Sequence, residues 1–81
     1  MKIINELIAV VALFSTGGDV EPVAFRHGKQ EYKIKTVQSW RFGRSIWASN
    51  CNRIYQVCTV DDKLAELEWI VDTGEWRLLK I

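Results

Sequence analysis

The sequence predicts an all-β domain, built as a small SH3-like barrel or a strongly bent antiparallel sheet. The apolar residues fall in runs of strand length that are rich in β-branched and aromatic side chains. Turn residues separate these runs at the short, regular spacing of sandwiches and barrels, and no long window sustains a capped helical period. An immunoglobulin-type sandwich needs about 100 residues. The 81 residues of this chain therefore favour a sheet that curls and closes on itself.

Turn signals divide the chain into its strands. Gly17-Gly18-Asp19 ends the first apolar run, and Pro22 opens the next strand, where a missing N–H is tolerated. Gly28 suits the positive φ of a hairpin turn, and Gly74 suits the left-handed position of a G1-bulge hairpin. The predicted strands are seven, at about residues 6–15, 22–26, 30–38, 40–48, 54–60, 64–71 and 76–80.

One irregularity in the alternation predicts a bulge. Tyr32 and Ile34 share a strand face, but Val37 and Trp40 fall out of phase with them. An extra residue near Lys35-Thr36 restores the phase, and such a β-bulge bends a small sheet towards a barrel. The residues predicted to be buried are Val11, Leu13, Phe25, Tyr32, Ile34, Val57, Leu67, Trp69 and Leu78.

The first 15 residues permit two interpretations. Lys2 and the apolar run Leu7–Phe14 are similar to a short signal peptide, but Glu6 interrupts the approach and no clean cleavage site follows. The run is far shorter than the ~20 residues of a membrane helix. A buried β-strand explains it better, so we expect a cytoplasmic protein with no membrane partner, while a processed segment stays open.

The turn and core positions resemble those of a family of small bacterial β-barrel proteins of unknown function. In that family a Phe-x-x-Gly hairpin leads into a Tyr-x-Val strand and a Trp, and a Gly-Glu-Trp-x-Leu run closes the C-terminal hairpin. The resemblance spans roughly residues 20–81 and implies a small bent barrel, with no activity or ligand. The matching positions here are Pro22, Phe25, Gly28, Tyr32, Ile34, Val37, Trp40, Gly74, Glu75, Trp76 and Leu78.

Residue chemistry gives no catalytic or metal site. Cys51 and Cys58 are too few for a disulfide framework or a metal cluster, and both are expected to be free thiols. His27 stands alone beside a turn glycine, so it offers no nucleophile–base pair. Glu66 and Glu68 share a strand face that is better explained as solvated. We therefore expect a protein that is not an enzyme and that has no cofactor.

The charge is uneven along a chain whose net charge is +1. Residues 26–53 carry seven Lys or Arg against Glu31 alone, whereas residues 1–25 and 54–81 are both acidic. Within the basic block, cations alternate with rings, which is the chemistry of nucleic-acid binding. The predicted phosphate contacts are Lys33, Lys35, Arg41, Arg44 and Arg53, and the predicted stacking rings are Trp40 and Trp47.

Other interpretations stay open for the same residues. Trp40, Phe42 and Trp47 can equally belong to the core, with Lys33 and Lys35 paired across strands with Glu66 or Glu68. A protein or peptide partner in an SH3-like groove or at a strand edge is the alternative function. Self-association through Leu7–Phe14 would give a weak dimer if this strand lies at an edge. Otherwise the protein is expected to be a monomer.

Overall fold

The all-β barrel is confirmed in a computed structural model that describes residues 1–43 and 52–81. The described residues form six antiparallel strands, and each strand pairs with the next until the last returns to the first. No helix among these residues is long and apolar enough to cross a membrane. The strands are β1 (Ile3–Phe14), β2 (Val20–His27), β3 (Gln30–Gly43), β4 (Asn52–Thr59), β5 (Leu64–Trp69) and β6 (Trp76–Lys80).

Two long strands bend and so close the barrel. The first half of β1 pairs with β6 up to Ile8, and its second half pairs with β2 from Ala9 onwards. Strand β3 likewise pairs first with β2 and then with β4. The register of β3 shifts between Ile34 and Thr36, so the bulge predicted near Lys35-Thr36 is confirmed. A bulge of this kind bends the strand, so that its two halves can pair with different neighbours.

The prediction of seven strands is wrong for the region around Gln38. Strand β3 runs without a break from Gln30 to Gly43, and a second register shift, between Val37 and Ser39, lies where two separate strands were predicted. The later part of the predicted strand 40–48 lies outside the described residues. Pro22 does not open its strand, because β2 begins at Val20 and Pro22 is buried opposite Ala12.

The turn predictions hold at the two glycines that needed special backbone geometry. Gly28 has a φ of 62° in the two-residue loop between His27 and Gln30, which face each other across the β2–β3 hairpin. Gly74 has a φ of 75° in the turn before β6. Both values lie in the left-handed region, which glycine enters without a Cβ clash.

The core lies between the curled strands and is rich in aromatic rings. Phe25 stacks on Tyr32 with their ring centroids 5.0 Å apart, and both are buried, as predicted. Val57, Leu67 and Leu78 are fully enclosed, also as predicted. The complete set of buried apolar residues is Val20, Phe25, Tyr32, Tyr55, Val57, Ala65, Leu67, Trp76 and Leu78.

The prediction for β1 is wrong in its choice of face. Val11 and Leu13 are 60% and 61% exposed, whereas Ile8, Val10 and Ala12 pack against the core. Both faces of this strand are apolar, so alternation alone does not say which one turns inward. Ile34 and Trp69, which were also predicted to be buried, are half-buried at the margin of the core.

Candidate binding surface

Five side chains form a continuous row at one end of the barrel, where β1, β3 and β5 end and β4 begins. Phe14 meets Trp69 edge-on, with ring centroids 6.2 Å apart. The Arg53 guanidinium lies over Trp69 at 5.7 Å and over Trp40 at 5.0 Å. Trp40 then meets Phe42 edge-on at 5.2 Å. We call Phe14, Trp69, Arg53, Trp40 and Phe42 the aromatic row.

Strand register explains why these residues meet. Phe42 pairs with Arg53, Arg53 pairs with Trp69, and Trp69 pairs with Trp76, so one level of the sheet carries them side by side. Trp40 lies two residues before Phe42 and therefore points to the same face of β3. Cross-strand neighbours on one face lie about 4.5–5.5 Å apart at Cβ, which brings rings into contact.

A buried layer supports the aromatic row from below. Trp76 stacks beside Trp69 at a centroid distance of 6.2 Å, and Tyr55 packs on Trp76 at 5.6 Å. The Tyr55 hydroxyl donates a hydrogen bond of 2.7 Å to the backbone carbonyl of Val20. Because Trp76 and Tyr55 are buried and Tyr55 is hydrogen-bonded, these two rings support the more exposed rings of the aromatic row.

The upper rings are open to solvent. Trp40 is 48% exposed, Phe42 is 59% exposed and Phe14 is 68% exposed. Trp69 and Arg53 are half-buried between them. An exposed patch of this kind, rich in aromatic residues with one arginine, has the composition of binding hot spots.

Arg53 is the cation at the centre of the row. Its guanidinium contacts two indole rings, an arrangement that cation–π attraction stabilises. A guanidinium that stacks through its faces keeps the N–H groups of its edge available as donors. Arg53 therefore lies between two indoles, and its side chain makes no hydrogen bond to another described residue.

The structure separates most of the cations that the sequence grouped together. Lys35 pairs with Asp62 at 3.7 Å, and Arg41 pairs with the buried carboxylate of Glu66 at 2.8 Å. Among the described residues, neither Lys33 nor Lys35 pairs with Glu66 or Glu68, so the expected cross-strand ion pairs are wrong. Exposed Lys33 lies roughly 20 Å along β3 from Trp40, at about 3.3 Å per residue.

Of the predicted site residues, the structure brings together Trp40 and Arg53. Arg44 and Trp47 lie outside the described residues, and so does Cys51. Sequence reasoning missed Phe14, Phe42 and Trp69 as members of a surface. The signal for Phe42 was its two-residue spacing from Trp40, which places both rings on one strand face.

Carboxylates surround this end of the barrel. Asp19 and Glu21 line an open groove of about 480 Å³ beside Phe14, together with Leu13 and Ser15. Glu75 lies in the turn that follows Trp69, and the Glu68 carboxylate accepts a 3.5 Å hydrogen bond from the Asn52 amide. The described residues around the aromatic row are therefore more acidic than basic.

Two further titratable side chains, His27 and Asp61, make hydrogen bonds within the described residues. His27 Nε2 lies 3.1 Å from Glu6 Oε2, and Cys58 is half-buried and free. The Thr59 hydroxyl donates to Asp61 at 2.5 Å, and this hydrogen bond lowers the pKa of Asp61 below its ordinary value of 3.8. The described residues hold no cluster of three or more potential metal ligands.

The site has to be interpreted from its own geometry, and the family resemblance stays a prediction. No family model, curated protein or solved structure matches this chain in the comparisons with known proteins.

Proposed function

We propose that this chain is a small binding module that holds an extended, proline-rich peptide with at least one basic residue against the aromatic row. The observation that carries this proposal is the row itself, in which solvent-exposed rings flank a fixed arginine. Proline-rich segments are recognised by aromatic grooves because their polyproline II helix is already extended and loses little entropy on binding.

The spacing of the row suits such a peptide. Neighbouring members lie between 5.0 and 6.2 Å apart. A polyproline II helix rises about 3.1 Å per residue, so alternate residues are about 6 Å apart. A peptide that follows these contacts would therefore place alternate residues near one of the four rings or near Arg53.

Arg53 supplies the polar contact that such a peptide needs. The backbone carbonyls of a polyproline II helix have no internal hydrogen bonds and are free to accept. Arg53 lies between Trp69 and Trp40, so its N–H groups would meet a carbonyl at the middle of the ligand. One central donor among apolar contacts fixes the position of a peptide along a groove.

Charge favours a basic peptide over a nucleic acid at this surface. Asp19, Glu21 and Glu75 border the row, and they would attract lysine or arginine side chains but repel phosphates. Arg41, on the opposite face of β3 from Trp40, already pairs with Glu66. The competing hypothesis is nucleic-acid binding through the predicted phosphate contacts and stacking rings, which are Lys33, Lys35, Arg41, Arg44 and Arg53 with Trp40 and Trp47.

The test is a titration of ¹⁵N-labelled protein followed by NMR. The ligands are a proline-rich peptide of about ten residues with two arginines, the same peptide with glutamates in their place, and single-stranded DNA and RNA oligonucleotides. We expect the arginine peptide to shift the indole N–H signals of Trp40 and Trp69 and to bind more tightly than the glutamate peptide. Salt should reduce the preference for the arginine peptide over the glutamate peptide, because it screens exposed charges, but it should affect the apolar contact with the rings only weakly.

A pair of exposed apolar residues provides the matched variants. Trp40→Ala should weaken peptide binding about tenfold or more, because it removes a central ring. Val60→Ala, at a residue that is 59% exposed in the turn at the other end of β4, should leave binding unchanged. Oligonucleotide shifts centred on Lys33 and Lys35 without peptide shifts would transfer the proposal to nucleic acid. Unchanged spectra with every ligand would reject both.

A further inference from the structure

A second exposed surface lies on the outer side of β1 and β2, away from the core. Val11 and Leu13 are 60% and 61% exposed there, although both are aliphatic. Small side chains adjoin them, since Ala9 precedes Val11 by two residues and Ala24 faces Val11 across the ladder. We call Ala9, Val11, Leu13, Glu21, Ala24 and Arg26 the β1–β2 outer face.

This face has charges of opposite sign at its two ends. The ladder pairs Ala9 with Arg26 at one end, Val11 with Ala24 in the middle and Leu13 with Glu21 at the other end. Glu21 and Arg26 are both exposed, and neither forms an ion pair within the described part of the chain. Along β2 the face is therefore acidic, apolar and basic, and exposed Glu31 on β3 lies opposite Arg26 beside the basic end.

We propose that the β1–β2 outer face binds a second copy of this chain through a two-fold axis at the level of Val11 and Ala24. This axis lies in the plane of the interface and perpendicular to the strands. The β1 strands of the two copies therefore stack face to face and run antiparallel. The axis places Glu21 of each copy opposite Arg26 of the other. An isologous contact needs this kind of self-complementary pattern, and the register of β1 and β2 supplies it.

Shape supports the same arrangement. An open groove of about 270 Å³ lies beside Ala9 and Ala24, and Arg26 and Glu31 form its charged border. The two-fold axis brings Leu13 of the second copy over Ala9, so its side chain would enter this groove. A cavity of about 150 Å³ can hold a benzene ring, so the groove is large enough for a leucine side chain.

The size and margin of the face set a limit on the affinity. The face consists of six side chains on two strands, whereas each partner of a stable complex contributes roughly 800 Å² from about 20–30 residues. Lys33 lies opposite Ala24 on β3, so the axis brings two lysines towards each other at the exposed margin. We therefore expect a weak, reversible dimer that forms at high protein concentration.

Charge exchange tests the geometry directly. The four samples are wild type, Glu21→Arg, Arg26→Glu and an equimolar mixture of the two variants, all studied by sedimentation equilibrium up to about 1 mM. Each variant alone should dimerise at least about tenfold more weakly, because like charges then oppose each other at both ends. The mixture should recover wild-type association, because a heterodimer of the two variants restores both attractive pairs.

Two further variants separate this face from general charge effects. Glu75→Arg makes the same charge change outside the face and should associate as wild type does. Leu13→Ser should weaken association at least about tenfold while it keeps the wild-type circular dichroism spectrum, since Leu13 is exposed in the monomer. A wild-type monomer at every concentration would overturn the proposal, and so would a mixture that associates no better than its components.

Discussion

Replacing Tyr55 by phenylalanine should measure how much one side-chain hydrogen bond contributes to barrel closure. Tyr55 is 2% exposed, and its hydroxyl donates to the Val20 carbonyl at 2.7 Å. This bond joins β4 to β2, which do not pair with each other in the sheet order. A buried hydrogen bond contributes about 0.5–1.5 kcal/mol net, and a buried acceptor that loses its donor costs about 1–3 kcal/mol. We therefore expect Tyr55→Phe to lower the free energy of unfolding by about 1–2 kcal/mol.

Thermal and urea unfolding, both followed by circular dichroism, would measure this loss. For a domain of this size, 1 kcal/mol corresponds to about 4–8 °C in Tm. The matched control is Tyr32→Phe, because Tyr32 is also buried and stacked, but its hydroxyl makes no hydrogen bond to the described residues. This control should stay within about 0.5 kcal/mol of wild type. Equal losses in the two variants, or an unchanged Tyr55→Phe protein, would refute the reasoning.

Three further predictions follow from local contacts. Gly43→Ala would place a Cβ 2.9 Å from Ile54 Cδ1, the flexible end of a half-buried side chain, so it should lower the free energy of unfolding in urea by only about 0.5–1.5 kcal/mol, and adding Ile54→Val should recover part of the loss. Thr59→Val should raise the pKa of Asp61 towards 3.8, as measured by NMR titration of the carboxyl carbon, because the lowering hydrogen bond is gone. Replacing a fully buried tryptophan by alanine lowers the free energy of unfolding by about 3–5 kcal/mol. Trp69 is half-buried, so Trp69→Ala should lower it by less, and a loss within that range would contradict the placement of Trp69.

Local features of this fold were predictable from the sequence. The turns at Gly28 and Gly74 depend on residues that tolerate positive φ, and these residues are adjacent to the turn itself. The bulge near Lys35-Thr36 follows from a phase change within one strand. Each of these signals lies within a few residues of the structure that it specifies, so a single sequence carries it.

The features that the sequence did not reveal depend on partners far along the chain. The outward orientation of Val11 and Leu13 depends on which side of β1 the core lies, and both sides of this strand are apolar. The pairing of Arg41 with Glu66 depends on the register of three strands across 25 residues. The aromatic row likewise depends on β1, β3 and β5 ending, and β4 beginning, at one level of the barrel, which no single segment encodes.

The pairing of β1 with β6 has a consequence for the order in which this chain folds during synthesis. Glu6 pairs with Leu78, and the Arg77 side chain donates to Asn5, 72 residues earlier. The aliphatic strand β1 is therefore synthesised long before its partner β6. The pairing of β1 with β6, which closes the barrel, can form only after β6 has been translated. Barrels that depend on such distant contacts fold slowly, so the nascent first strand spends that interval open to aggregation or to protection by a chaperone.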